Sequence, residues 1–206
     1  AAVEHTDTPH RLCHRSLPSC SGTLLIEGLL MALDVASGLV RDSALTPWPH
    51  HDPAAMAMVV SEARERRTRG ASWQGKAWGS DSDERAIAIA QRNARRAGLE
   101  SLIDFRVSSV QELHLPAAPT LVICNPPYAE RLGEQTEVEM LYQDLGAFLR
   151  REAQGSEAAI FTARPEWGKL LGIHSHKQYA LFNGALPAKL LLMRVDAESI
   201  YQKHVR

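Results

Sequence analysis

The most informative stretch of the chain reads Thr120-Leu121-Val122-Ile123-Cys124-Asn125-Pro126-Pro127-Tyr128. Its first five residues form an apolar run flanked by prolines, a pattern typical of a strand buried in a parallel sheet. The Asn-Pro-Pro-Tyr that follows stands at the carboxyl end of this strand. Since open α/β sheets bind ligands at the carboxyl ends of their strands, the stretch predicts both a fold class and the position of a functional site.

Elsewhere in the chain, predicted strands alternate with predicted helices. The helices cover residues 23–38, 54–69, 83–97, 137–151 and 166–171, and the strands cover residues 76–81, 102–107, 120–124 and 158–162. Two further strands, 179–182 and 189–195, are joined by Asn183-Gly184, a strong turn signal. The order predicts an α/β fold with a doubly wound, Rossmann-like sheet that is mostly parallel and has an antiparallel C-terminal edge strand.

Composition excludes several classes of protein. The chain has 206 residues, of which 45% are hydrophobic and 23% charged, so it suits a folded domain and excludes wholesale disorder. A net charge of -1 argues against binding nucleic acid by bulk charge, although a local basic face remains open. No apolar run is long enough to span a membrane, and residues 1–15 are too polar for a signal peptide. Three cysteines without a CxxC pair argue against a disulfide framework or zinc site and indicate a cytoplasmic location.

The residues Asn125, Pro126, Pro127 and Tyr128 suit the methylation of a planar exocyclic amine. Such a nitrogen is a poor nucleophile because its lone pair is delocalised into the ring. The Asn125 side-chain oxygen and the Pro126 carbonyl can each accept one N–H, and the prolines fix the backbone so that both acceptors point to one place. Tyr128 offers a face on which a base can stack. The plainer alternative is a turn after a strand.

Two further segments predict a nucleotide-like ligand at the same end of the sheet. In Gly79-Ser80-Asp81-Ser82-Asp83, Asp81 is placed to accept hydrogen bonds from both hydroxyls of a ribose, with Asp83 as the N-cap of the next helix. The alternative is that both carboxylates only cap the helix. Ser21-Gly22-Thr23 is a small-residue turn that lets a ligand approach a helix N-terminus, and a simple N-cap by Ser21 or Thr23 explains it equally well.

Together these segments resemble S-adenosylmethionine-dependent methyltransferases, and more narrowly the bacterial guanine-N2 methyltransferases of large-subunit ribosomal RNA. The similarity covers about residues 20–195. The matching segments are Cys20 to Glu27, His51-Asp52, Gly79 to Asp83, Asn125 to Gly133, Gly168-Lys169 and His176 to Gly184. The last of these points to this family over adenine-DNA methylases.

The resemblance implies a seven-stranded sheet and the cofactor S-adenosyl-L-methionine. By carry-over, the catalytic residues are Asn125, Pro126, Pro127 and Tyr128, and the cofactor-binding residues are Cys20, Ser21, Gly22, Thr23, Asp81, Ser82, Ser109 and Asn125. Substrate-binding residues are Tyr128, Arg131, His176, Lys177 and Asn183, and no metal is expected. The implied partner is ribosomal RNA, reached through a further RNA-binding domain for which 206 residues leave no room. We therefore expect weak RNA binding by this chain alone.

Two departures from the family pattern lead to expectations of their own. Arg15-Ser16-Leu17-Pro18 stands where the family has its first strand and an Asp-Pro, so we expect the first strand and the cofactor loop to be defective. On this view residues 1–19 are an irregular segment and residues 20–206 form the methyltransferase domain. Codons for Asp-Pro-Phe read one base out of register give Arg-Ser-Leu-Pro, hence the hypothesis of a frame-slipped segment, which the nucleotide sequence of the gene tests. Ser109 replaces an aspartate that bonds the adenine amino group.

Two other functions stay open on the sequence. The damaged cofactor loop favours a catalytically silent fold that serves as an RNA-binding or interaction module. Alternatively, the enzyme acts on another planar amino group, either in a DNA adenine or in a protein glutamine.

Overall fold

A computed structural model describes residues 11–16, 22–40, 49–70, 75–115, 121–128 and 135–200. The strands found there are β1 (Arg11–Ser16), β2 (Lys76–Asp81), β3 (Ile103–Val107), β4 (Leu121–Asn125), β5 (Glu157–Thr162), β6 (Ser175–Asn183) and β7 (Leu186–Arg194). The α-helices are α1 (Thr23–Ala32), α2 (Pro53–Gly70), α3 (Glu84–Arg96) and α4 (Gln135–Glu152). Short 3₁₀ helices cover Ser37–Val40 and Pro165–Leu171.

The seven strands form one sheet in the order β3-β2-β1-β4-β5-β7-β6. Strands β1 to β5 are parallel to one another, whereas β7 runs antiparallel to both β5 and β6. The order reverses between β1 and β4, which is the topological switch point of a doubly wound sheet. The predicted fold class, including the antiparallel C-terminal edge, is confirmed.

The expectation of a defective first strand is wrong for its backbone pairing. Backbone pairing places Arg11–Ser16 in the middle of the sheet, with parallel ladders to β2 on one side and to β4 on the other. The apolar run that marks β4 is absent from β1, but a ladder is made by backbone groups, and two neighbouring strands offer theirs at once. The predicted irregular segment over residues 1–19 is therefore wrong for residues 11–16, while residues 1–10 and 17–19 lie outside the described part of the chain.

Buried apolar side chains form two clusters. One joins α1 and α3 to β2 and β3, and its members include Leu25, Leu29, Ala77, Ala94 and Ile103. The other joins α4 and the second 3₁₀ helix to β4, β5 and β7, and it includes Trp78, Val122, Tyr142, Phe148, Ile160 and Leu191. Consecutive residues of β2 belong to different clusters because adjacent side chains of a strand point to opposite faces. The two clusters thus lie on opposite faces of the sheet, as a parallel topology requires, while the edge strand β6 is largely exposed.

Most element boundaries agree with the sequence patterns. The first helix ends at Ala32, six residues before the predicted stop, and β6 and β7 are longer than predicted. No helix within the described ranges is long and apolar enough to cross a membrane.

Candidate functional site

The carboxyl ends of β2 and β4 lie on either side of β1. Arg15 of β1 pairs with Ser80 of β2, and Ser16 pairs with Asn125 of β4. Asp81 and Asn125 therefore stand level with each other, two strand spacings apart, or about 10 Å. Two residues separated by 44 positions in the sequence thus face the crevice where the strand order reverses.

The end of β4 brings the predicted acceptor groups together. Asn125 is its last residue, Pro126 is buried, and Pro127 and Tyr128 are half-buried. The Tyr128 hydroxyl donates a hydrogen bond to Asn125 Oδ1. The side-chain oxygen that was predicted to accept an amine N–H therefore already faces a hydrogen-bond donor across the site.

The two carboxylates after β2 have separate partners. Asp83 is the N-cap of α3, and its Oδ1 accepts from the Arg85 N–H at 2.8 Å, as predicted. Asp81 is 1% exposed, and its Oδ1 accepts from the Asp83 N–H at 2.9 Å, which orients the carboxylate. Asp83 therefore caps the helix, and the Asp81 carboxylate holds the N–H of that cap residue. Ser82 is exposed between them.

The end of β3 is fastened to the end of β2. The Ser108 N–H donates to the Asp81 carbonyl oxygen at 2.9 Å, and the Ser80 hydroxyl donates to the Ser108 carbonyl at 3.1 Å. The next residue, Ser109, donates its hydroxyl to Glu112 Oε2 at 3.0 Å. Ser109 thus follows the residue that is bonded to Asp81, and its hydroxyl is held by the carboxylate of Glu112, which sequence reasoning did not single out.

The turn before α1 is made by Gly22 in a left-handed conformation, with φ 73°. It is the N-cap of α1 but supplies no side-chain hydrogen bond, so the alternative of a Thr23 side-chain cap is wrong; Thr23 is the first helical residue. A Cβ at position 22 would lie 3.0 Å from Ala90 Cβ, so the backbone approaches α3 closely. Cys20 and Ser21 lie outside the described residues.

Sequence reasoning missed a polar cluster at the end of β5. The Thr162 side chain is fully buried, its Oγ1 lies 2.7 Å from the Tyr142 hydroxyl, and it accepts from the Arg164 N–H at 2.9 Å. Burial raises the pKa of Tyr142, so its hydroxyl is neutral. Arg164 Nε donates to the Tyr128 carbonyl oxygen at 3.3 Å. The available signal was a threonine at the end of a buried strand, next to the Asn-Pro-Pro-Tyr strand in the predicted sheet.

The predicted substrate residues of the C-terminal hairpin are separated by the structure. Ser175 pairs with Met193, which also pairs with Ala158 near the start of β5, so His176 and Lys177 lie toward the amino end of the sheet. The His176 ring lies 3.9 Å from Glu157, and the Lys177 ammonium lies over the Tyr179 ring.

Asn183 ends β6 beyond the level of Thr162, at the same end of the sheet as Asn125, but it lies three strands away, about 14 Å across the sheet, and about four residues further along the strand direction. Arg131 lies outside the described residues. Within the described ranges, no group of three or more His, Cys, Asp or Glu side chains is arranged to hold a metal ion.

Comparison with known proteins places this geometry in a family. Residues 18–191 match the family described as UPF0020: RMKL-like, methyltransferase domain. A "Ribosomal RNA large subunit methyltransferase K/L" of Chromohalobacter salexigens is 46% identical over 187 residues, covering 88% of this chain and 26% of that protein. The protein of the same name from Marinobacter nauticus is 42% identical over 186 residues, covering 87% of this chain and 25% of its own.

A solved structure is similar as well. SMU.472, assigned as a methyltransferase and crystallised with SAH, is 29% identical with a TM-score of 0.78, over 91% of this chain and 48% of that one. The chain thus spans about a quarter of the length of the curated relatives it matches, and about half of this solved chain.

Proposed function

The chain belongs to the family of RMKL-like methyltransferase domains, and from this premise we propose that it transfers a methyl group from S-adenosylmethionine to the exocyclic N2 of a guanine in large-subunit ribosomal RNA. The observation that carries the proposal is the level arrangement of Asn125 and Asp81 on either side of β1. One strand end offers acceptors for an amino group, and the other offers a carboxylate for a ribose.

The acceptor side binds and orients the amine. Asn125 Oδ1 accepts one N–H of the guanine amino group, and the Pro126 carbonyl accepts the other. Both bonds draw the nitrogen toward tetrahedral geometry and direct its lone pair at the methyl group. The Tyr128 ring stacks on the base. Its hydroxyl either releases Asn125 Oδ1 to the amine or shares this oxygen with the amine, because the oxygen has two lone pairs. The target guanine must be unpaired or flipped out to reach this position.

The residues on the other side of β1 fit the cofactor. The Asp81 carboxylate accepts hydrogen bonds from the two ribose hydroxyls. The left-handed turn at Gly22 has no side chain, so a ligand can approach the backbone at the start of α1. Ser109 accepts from the adenine amino group. When bound, S-adenosylmethionine supplies an electrophilic sulfonium methyl group. No side chain with a shifted pKa is needed as a base, because the methylated amine becomes acidic enough to lose its proton.

The names of the relatives support ribosomal RNA as the substrate, since both are called large-subunit ribosomal RNA methyltransferases. The formal charge of -1 supports the further proposal that RNA affinity comes mainly from a separate RNA-binding domain. Of the predicted substrate residues that the structure describes, Tyr128 and Asn183 lie at the proposed end of the sheet. A cytoplasmic location follows from the same proposal.

The test is methyl transfer by the full chain from tritium-labelled S-adenosylmethionine. Unmodified transcripts of large-subunit ribosomal RNA, duplex DNA and a protein extract are offered in parallel. We expect label in the RNA alone. Asn125→Ala should lower the rate at least about 100-fold, because it removes an acceptor made for the transition state. Gln154→Ala is the matched control, since that side-chain amide bonds the Arg150 carbonyl near the amino end of β5.

Other distributions of the label would overturn the proposal in distinct ways. Label in DNA or protein would show an amino-methyltransferase with another substrate. Binding of S-adenosylhomocysteine without transfer to any fraction would support the catalytically silent interaction module.

A further inference from the structure

Arg164 lies beside the Asn-Pro-Pro-Tyr segment because β4 and β5 are neighbouring strands. It follows the end of β5 by two residues. Its Nε donates to the Tyr128 carbonyl oxygen at 3.3 Å, and its guanidinium carbon lies 5.3 Å from the centre of the Trp167 ring. The side chain is 47% exposed and therefore lies at the edge of the site, where one part of it contacts protein and the other part contacts solvent.

The residues that support Arg164 are buried and contact one another. Its N–H is held by the buried Thr162 hydroxyl, which also contacts the Tyr142 hydroxyl at 2.7 Å. Trp167, on which the guanidinium rests, packs edge-on against the Tyr142 ring, with ring centres 5.6 Å apart. Both the backbone and the side chain of Arg164 thus contact the same buried group, which favours the direction in which the guanidinium points.

Resting on the proposed function, we propose that Arg164 is a positioning residue for methyl transfer, which holds the backbone of Tyr128 so that its ring and Asn125 stay in line for the incoming base. Tyr128 is fastened at both ends, by its carbonyl to Arg164 and by its hydroxyl to Asn125. When a base displaces the Tyr128 hydroxyl from Asn125, the contact with Arg164 keeps the Tyr128 backbone in place, and only the ring has to turn.

The charge around Arg164 favours this role over a contact with an RNA phosphate. Glu166 Oε1 lies 3.6 Å from its Nη1 and offsets the positive charge. One face of the guanidinium rests on Trp167, and Nε is directed at the Tyr128 carbonyl. A planar donor with these contacts is suited to hold one carbonyl in a fixed direction.

The kinetic test compares Arg164→Ala and Arg164→Lys with Arg95→Ala, which removes an exposed ion pair with Glu100 at the far end of α3. We expect Arg164→Ala to lower kcat about tenfold, because misplacing a reacting group is costly, while KM for RNA changes less than about twofold. The lysine variant should recover at least half of the lost kcat, because an ammonium can still donate to the carbonyl. Affinity for S-adenosylhomocysteine should stay unchanged in all three.

A second readout is independent of activity. Tyrosine labelled with ¹³C gives one ring signal for each of the four tyrosines, and Tyr128→Phe identifies that of Tyr128. Arg164→Ala should shift or broaden the Tyr128 signal in the free protein, whereas Arg95→Ala should leave it unchanged.

The outcomes separate this proposal from the one on which it rests. A raised KM with unchanged kcat would make Arg164 a substrate contact and overturn the positioning role. An unmoved Tyr128 signal in Arg164→Ala would overturn it as well. If the wild-type chain methylates no RNA, the proposed function fails, and the Tyr128 signal still decides whether Arg164 holds that segment.

Discussion

The strand ends on the two sides of β1 are built differently. On the β4–β5 side, the site depends on side chains: Asn125 and Tyr128 contact each other, and Thr162 supports Arg164 from below. On the β2–β3 side, the geometry depends largely on the backbone. The Asp81 carbonyl accepts from the Ser108 N–H, and the Asp81 carboxylate accepts from the Asp83 N–H.

From this difference we expect the two sides to tolerate a change of sequence unequally. Backbone hydrogen bonds are available to any residue except proline, so β1 forms although its sequence departs from the family pattern. An acceptor aimed at an amino group must be a particular side chain in a particular place. We infer that the cofactor side, at the ends of β2 and β3, keeps its backbone geometry despite the departures at Arg15-Ser16 and Ser109. The acceptor side, at the ends of β4 and β5, would lose its geometry on comparable changes.

The largest effect on the cofactor side should come from Asp81. Asp81→Ala removes the carboxylate proposed to accept from both ribose hydroxyls, and two such bonds contribute about 3 kcal/mol or more. We expect S-adenosylhomocysteine to bind at least about 100-fold more weakly by calorimetry.

Asp83→Ala is the matched control for Asp81. It removes the N-cap bond to the Arg85 N–H but leaves the Asp83 N–H that orients Asp81. It should lower the free energy of unfolding by about 1 kcal/mol and leave cofactor affinity unchanged. Equal loss of affinity in both variants would mean that the segment acts only as a cap.

On the acceptor side, Tyr128 separates stacking from hydrogen bonding. Tyr128→Ala should raise KM for RNA by about 5- to 150-fold, because stacking on an aromatic ring is worth about 1–3 kcal/mol for each base. Tyr128→Phe keeps the ring and should retain at least about a third of kcat/KM, since the hydroxyl competes with the amine for Asn125 Oδ1. A phenylalanine variant as impaired as the alanine variant would show instead that the hydroxyl itself is needed.

Ser109 tests how far the cofactor side has departed from its relatives. Restoring the family's aspartate places a second carboxylate near Glu112, whose Oε2 now accepts from the Ser109 hydroxyl at 3.0 Å. Like charges oppose each other, so Ser109→Asp alone should change cofactor affinity less than about twofold. Combined with Glu112→Gln, it should strengthen binding about tenfold, or roughly 1.4 kcal/mol. No gain in the double variant would mean that position 109 does not contact the adenine.

The smallest effect concerns the link between the two sides. Glu152, at the end of α4, is only 12% exposed and accepts from the Leu115 N–H at 3.0 Å in the segment that follows β3. Burial opposes the charge, but hydrogen bonds from Leu115, Arg151 and His114 outweigh it and lower the pKa of Glu152. A lowered pKa stabilises the folded state above the unfolded-state value and loses this contribution as pH falls through the folded value.

Glu152→Gln should therefore cost about 1 kcal/mol of unfolding free energy at pH 7. The difference from wild type should begin to shrink as pH falls below the ordinary glutamate pKa of about 4.3, and it should be lost below the lowered folded-state pKa, where the wild-type carboxylate is protonated. Urea unfolding at pH 7 and pH 3 measures both. A difference that is constant across this range would show that the charge of Glu152 has no part in joining the two sides.

Much of the fold could be predicted from the sequence because periodicity and turn signals are local. Thr120–Cys124 and the Asn183-Gly184 turn each mark their element without reference to the rest of the chain. The strand β1 could not be predicted, since Arg11–Ser16 has no apolar run and is placed by its two neighbours. Tertiary pairing decided that segment where local propensity did not.

The same reasoning applies to the site. Asn125 and Asp81 could be predicted because each follows a strand directly, and the carboxyl ends of parallel strands meet. Arg164 could not be predicted, because its contact with Tyr128 joins residues 36 positions apart and both residues lie in irregular backbone after a strand. His176 and Lys177 were carried over from the resemblance, and antiparallel pairing places them toward the opposite end of the sheet, a relation that the motif alone does not contain.

The most direct test of the central claim is to identify the methylated nucleoside. Large-subunit ribosomal RNA is treated with the full chain and S-adenosylmethionine, digested, and analysed by mass spectrometry. We expect N2-methylguanosine as the product, absent with Asn125→Ala and strongly reduced with Asp81→Ala. A methylated adenosine, or N2-methylguanosine formed equally well by Asn125→Ala, would contradict it.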